Sequence, residues 1–334
     1  MTETLTVPVR PSHPSPVRTL AVLGDSTAAG LGDPLPDGRW RGFAVLLRDA
    51  LGGPGDVTLV STARTGARMA DVRRDQLAPA ARCAPDAAVL CAGMNDTLRS
   101  DFDAEDVGRD CAATVRTLRA AGAHVVVLRF HDHTRVFPLP GPLRRALRLR
   151  IEALNAAIDR AVAGLDGVQV LDAHALPGGY ERDAWSIDRL HPSELGHRLL
   201  AGGVAALLVG AGFGVPFPVG TQCAGGRAVS AFDRAAWLLV RGTPWLARRG
   251  RDLGPVIVQG LVTGLRGAPG PPARTRVRLR AHGVGGAGRH LAGLDLEQGV
   301  PGAGAAQPAD RAARAVVAAP LQSARVGGGP GAGT

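Results

Sequence analysis

Lysine is absent from the 334 residues, so all 39 basic side chains are Arg. Beside 46 Gly and 25 Pro, that usage reads as the coding bias of a GC-rich genome, and Arg in place of Lys is uninformative at any single site. Cysteine is scarce as well. Cys83, Cys91, Cys111 and Cys223 make no CxxC pair, which excludes a disulfide framework in a chain this long and argues against metal binding through thiolates. No apolar run reaches the ~18 residues of a spanning helix. The first residues, broken by Pro8, Pro11, Pro14 and Pro16, contain no signal-like apolar core. The resulting expectation is a cytoplasmic protein with reduced, mostly buried thiols.

Aromatics make up only 4% of the chain, but 45% of residues are hydrophobic and 20% charged. That is enough apolar content to bury a core, and it excludes disorder throughout. Charge is unevenly placed. Residues 216–334 carry 15 Arg against five acids, so the net +10 lies in the last third and the first 215 residues are balanced. A nucleic-acid reading would apply only to that basic segment. Its end, from about residue 267, has no aromatic for stacking on single strands, and no nucleic-acid partner is expected.

Five short runs rich in Val, Leu and Ala, at 19–23, 57–60, 87–91, 124–128 and 168–171, have the two-sided apolarity of strands inside a parallel sheet. Between them, apolar residues recur at steps of three and four. Trp40, Phe43, Leu47 and Leu51 form one such stripe, and Val107, Cys111, Val115 and Leu118 another. Ile151, Leu154, Ile158 and Val162 form a third, and Leu195, Leu199 and Leu200 open a fourth. Strands alternating with helices predict a parallel sheet covered on both faces, with ligand at the carboxyl ends of the strands.

The loops at those ends carry the chemistry. The first strand enters Gly24-Asp25-Ser26-Thr27, which places a Ser between strand and expected helix, where its N–H and the helix dipole can face an oxyanion. The same letters also make an ordinary N-cap. Ser61 to Gly66 follow the second strand and Gly93-Met94-Asn95-Asp96 the third. A Gly allows close backbone approach and an Asn offers a side-chain N–H₂, though both also suit turns. After the fifth strand comes Asp188-Arg189-Leu190-His191, whose spacing lets a carboxylate hold one imidazole nitrogen while the other faces Ser26.

Four strand ends thus supply, in order, Ser, Gly, Asn and Asp with His, the parts for acyl transfer. In these blocks, from residue 18 to about 210, the chain resembles the SGNH hydrolases, or GDSL esterase/lipase superfamily. Gly30 stands at the family's usual offset, and LHPSELGH at 190–197 is similar to its last block. The G-x-S-x-G elbow of α/β-hydrolases is not present at Ser26. The resemblance implies a three-layer α/β/α, flavodoxin-like fold on a five-stranded parallel sheet. It implies Ser26 as nucleophile, His191 as base and then acid, and Asp188 as orienting carboxylate. The oxyanion hole it implies is the Ser26 and Gly66 backbone N–H groups with the Asn95 side chain. Ser61 departs from the Asn that family members often have there, which weakens the support for Gly66. Gly93, Asp25 and Asp96 are expected to shape loops.

The implied reaction is hydrolysis of a small-molecule carboxylic ester through an acyl-enzyme, without metal or other cofactor. Thioesters or O-acetylated sugars on the same site are alternatives, as is a binding protein without turnover; no residue code identifies the substrate. His131 and His133 are expected to line the substrate mouth rather than bind metal, His197 to be structural, and Trp40 to be core. The chain divides into a flexible N-terminus at 1–17, a catalytic domain at 18–214, a basic helical extension at 215–266 and a disordered tail at 267–334. In the extension, residues 228–250 set Trp237 and Trp245 among four Arg. That pattern suits packing on the domain, with peripheral membrane contact as the alternative.

Overall fold

The protein is described here from a computed structural model that covers residues 14–137 and 139–223. Its elements are β1 (Thr19–Gly24), α1 (Gly42–Leu51), β2 (Thr58–Ser61), α2 (Met69–Asp71), α3 (Leu77–Arg82), β3 (Ala87–Cys91), α4 (Met94–Thr97), α5 (Ala104–Ala120), β4 (His124–Arg129), α6 (Gly141–Val162), β5 (Val168–Asp172) and α7 (Glu194–Gly210). A π-helical turn, Val72–Gln76, joins α2 to α3. The five strands form one sheet in the order β2-β1-β3-β4-β5, with every neighbouring pair parallel. The expected parallel sheet is therefore present. Helices α1 and α7 pack together, and α5 packs with α6 and α3, giving the layers on either side.

Burial refines the strand reading. β3 is buried along its whole length, β1 from its second residue onward, and β4 except at its two ends. β2 and β5 are the sheet edges and stay largely half-buried or exposed, because each has a neighbour on one side only. The helices follow their apolar stripes. Val107, Cys111, Val115 and Leu118 face inward from α5, and Ile151, Leu154, Ile158 and Val162 from α6. Asp103 caps α5 by accepting from the N–H groups of Glu105 and Asp106, and Ser193 Oγ caps α7 through Gly196 N–H, each satisfying a donor that a helix start leaves open.

Four expectations are corrected. Trp40 is not core: it precedes α1 and is 45% exposed. α6 begins ten residues before the stripe that predicted it. The N-terminal boundary moves, because Ser15 already pairs with Phe213 and Val17 is buried. The extension does not begin as a helix either. Residues 215–223 are irregular, with Val215 and Val219 packed against the core and Phe217 N–H donating to Ala50 O at 3.1 Å. The remainder of the expected extension, its 228–250 stretch, the 267–334 tail and residues 1–13 lie outside the described residues.

Candidate active site

Ser26 is positioned from β1 and β3. At Gly24, φ is +148° and a Cβ would lie 2.0 Å from the carbonyl oxygen of Cys91. Only Gly tolerates this approach, and Asp25 N–H donates to that same oxygen at 3.0 Å. Gln76, itself buried, brackets Gly24 by accepting from its N–H at 2.8 Å and donating to its carbonyl at 2.9 Å. No helix starts at Ser26, contrary to expectation. A run of turns occupies 26–32 instead, with Leu31 N–H bonded to Ser26 O, and α1 begins only at Gly42. Asp25 is buried and accepts from Thr27 N–H at 2.9 Å. Burial pushes its carboxyl up to about 6, against the pull of Thr27 N–H and the nearby His191.

The DxxH loop closes on itself. Trp185 pairs with Pro192, and Ser186 N–H donates to His191 O at 2.9 Å. Inside it, Asp188 Oδ1 accepts from Ser186 Oγ at 2.6 Å and from the N–H groups of Leu190 and His191 at 2.8 and 3.0 Å. Its other oxygen meets His191 Nδ1 at 2.6 Å, and His191 Nε2 lies 2.9 Å from Ser26 Oγ. Burial alone would raise the Asp188 carboxyl. The imidazole hydrogen bond and charge, with Ser186 and the backbone donors, outweigh it and hold the group at about 2. Ser186 went unnoticed in the sequence, where a Ser two residues before an Asp carries no distinct signal.

The remaining predicted residues arrive at the same cleft, whose lining includes Ser26, Gly66, Asn95 and His191. Gly66 has φ +79°, a left-handed conformation that turns the loop after β2 under the cleft. Asn95 Nδ2 donates to Ala67 O at 3.1 Å. Beside it, buried Asp96 accepts from Arg68 Nε at 3.2 Å and from Met69 N–H at 3.1 Å. Those bonds join the Gly66 loop to the Asn95 turn. Among the described residues, the N–H groups of Ser26 and Gly66 donate to no other protein group.

His133 lines the cleft, as expected, and His131 lies behind it with Nε2 2.9 Å from His133 Nδ1. Both pack against Trp185. Burial lowers His131 to about 3 and His133 to about 4, so both rings are neutral near pH 7. His197 is fully buried, and it accepts from Phe43 N–H at Nδ1 and meets Leu31 O at Nε2, at 3.2 and 2.9 Å. Its place is structural: it ties α7 to the start of α1 and to the Ser26 turns.

The sequence pattern of the GDSL-like lipase/acylhydrolase family matches residues 22–199. The chain belongs to that family and is an ester-hydrolysing enzyme. Among solved structures it is similar to LAE5, an alpha/beta hydrolase from the metagenome of Lake Arreo, Spain, at 20% identity, covering 58% of this chain and 96% of that one, with a TM-score of 0.46. The lipase/acylhydrolase from Enterococcus faecalis gives 19% identity, the same coverages and a TM-score of 0.46. Axe2, an acetylxylan esterase from Geobacillus stearothermophilus, gives 17% identity over 58% of this chain and 95% of that one, with a TM-score of 0.45. No curated protein matches the chain in sequence. Among the described residues, no helix is long and apolar enough to cross a membrane.

Proposed function

We propose that the chain is a serine esterase that cleaves carboxylic esters through an acyl-enzyme on Ser26. The observation that carries this reading is the unbroken hydrogen-bonded run from Ser26 Oγ through His191 to Asp188. With the Nδ1 proton given to Asp188, His191 Nε2 is free to accept the Ser26 hydroxyl proton. Ser26 Oγ then attacks the ester carbonyl carbon. The oxygen that gains charge is received by the Ser26 and Gly66 N–H groups and by the Asn95 Nδ2 proton not given to Ala67. The carbonyl–oxygen bond to the alcohol breaks as His191 returns its proton to the leaving oxygen. Water, deprotonated by His191, repeats the sequence and releases the carboxylic acid and free Ser26. The low carboxyl of Asp188 keeps it ionised opposite the imidazolium formed in both halves.

Turnover of p-nitrophenyl esters by wild type and Ser26→Ala tests this, together with fluorophosphonate labelling. Ser26→Ala is expected to lose at least about three powers of ten in kcat and all covalent label. Equal turnover by the two proteins refutes the assignment. A folded wild type that takes no label supports a binding protein instead.

A further inference from the structure

The cleft above Ser26 has one apolar wall that the core explains only in part, through Leu147. Every buried residue of α6 lies at or beyond Ile151, and none lies in the ten residues before it. Leu154 sits against Gly93. One turn toward the helix start, Arg150 Nη1 donates to the carbonyls of Thr97 and Arg99 at 3.0 and 2.6 Å. Further toward the helix start, Leu147 and Leu143, spaced for one helix face, line the same cleft as Ser26. Leu98, Phe137 and Leu139 line it too.

Polar groups on this wall are few and lie at its Ser26 end, at Thr97 and Arg150. Thr97 Oγ1 donates to Met94 O at 2.7 Å, and Arg150 Nη1 is held by its two carbonyls. Sugar hydroxyls would find no side-chain partner along Leu143, Leu147 and Leu139, and burying them unpaired is costly. A hydrocarbon chain needs none. From Leu143 to Arg150 the helix rises roughly 10 Å, comparable to an extended acyl chain of medium length.

We infer that the Leu143 and Leu147 face of α6, with Leu98, Phe137 and Leu139, is an acyl-chain groove, and that the enzyme selects esters of linear, medium-length fatty acids over acetyl esters. This rests on the serine-esterase reading above for the position of the ester carbonyl at Ser26. A competing place for the chain exists. Behind a partition of Thr27, Met94, His133 and Leu190 lies a second apolar cavity, walled in part by Leu176 and Leu199. It is the rival location.

The experiment uses the full chain with p-nitrophenyl acetate, butyrate, octanoate and palmitate. In wild type, kcat/KM should rise from acetate to octanoate by up to roughly fourfold per methylene, the transfer free energy of one buried CH₂. In Leu143→Gln/Leu147→Gln, the octanoate-to-acetate ratio should fall at least tenfold. A general loss of folding lowers both substrates and leaves that ratio unchanged. Acetate as the best wild-type substrate overturns the proposal, as does an unmoved ratio. So does a ratio that collapses only when Leu199→Trp fills the inner cavity. Calorimetric titration of Ser26→Ala with octanoate and with acetate reads the groove without turnover. Octanoate should bind more tightly, and the two α6 changes should weaken it. Octanoate binding by a chain that hydrolyses no ester would refute the serine reading and keep the groove. Hydrolysis that depends on Ser26 without octanoate binding would do the reverse.

Discussion

On the strand-end side of the cleft, polar groups are committed to one another. Gln76 brackets Gly24, Asp96 accepts from both Arg68 and Met69, and Asp188 accepts from four donors. On the α6 side, the leucines at 139, 143 and 147 are only half-buried, and Leu149 on the outer face is 55% exposed. The first side is rigid because buried polar groups are expensive to leave unpaired, so each fixes its neighbour. The second is tied by Arg150 to the Thr97 and Arg99 carbonyls, but its leucine side chains take no part in hydrogen bonding and can change without disturbing that network. Substitutions on the first side should therefore affect rate or stability, and those on the second should affect choice of substrate.

The largest effect is expected at Asp188. Replacing it by Asn should reduce kcat by about 10⁴-fold while the protein remains folded by circular dichroism. A near-wild-type rate would show that His191 is held without the carboxylate, as a Ser–His dyad, and would detach the loop's hydrogen bonding from catalysis. Next comes Gly24→Ala, whose Cβ would collide with the Cys91 carbonyl in a left-handed backbone conformation. It should cost about 3 kcal/mol in urea denaturation, combining overpacking with backbone strain.

A smaller effect is the slope of stability against pH. His131, His133 and His197 titrate at about 3, 4 and 4 in the folded chain, because burial disfavours the charged ring. The unfolded chain, with ordinary imidazoles near 6.5, binds more protons between those limits. Stability is thus fully present above about pH 6.5 and is lost as pH falls toward 4, by up to about 1.4 kcal/mol per pH unit for each ring. Asp25 works in the opposite sense: its raised carboxyl makes burial cost stability as pH rises from its ordinary value through about 6. Denaturation midpoints of His197→Gln between pH 4 and 7 should show a flatter slope than wild type; an unchanged slope would place its titration elsewhere. The smallest effect is at Trp40. Being exposed, Trp40→Ala should change stability by less than about 0.5 kcal/mol in the same assay.

The strand-end side was legible because its chemistry is written in contiguous letters beside apolar runs. Ser26, Asn95, Asp188 and His191 each follow a recognisable strand, and the parallel sheet brings strand ends to one edge. The partners that hold them were not legible. Gln76 meets Gly24 across 52 positions and His197 meets Phe43 across 154, and a single sequence has no signal at such separations. Trp40 was misread because helical spacing extends past the point where a helix begins. The first half of α6 was missed for a different reason: its leucines stand among Arg144, Arg145 and Arg148, and no continuous apolar stripe results.

The missing side chain at Gly24 has a mechanical consequence. Because Asp25 N–H bonds to the carbonyl of Cys91, the start of the Ser26 turn is indexed to the end of β3, and Asn95 lies four residues further along that same strand end. Ser26 and Asn95 therefore share one reference point, and a displacement of β3 carries both together. His191 belongs to a loop beyond β5 and is referenced differently: besides its bond to Ser26 Oγ, its neighbours Pro192 and His197 meet the turns after Ser26 at Gly32 and Leu31. The alignment of Ser26 with Asn95 is thus set inside the sheet, and that of Ser26 with His191 by the packing of the 185–197 segment on the 26–32 turns.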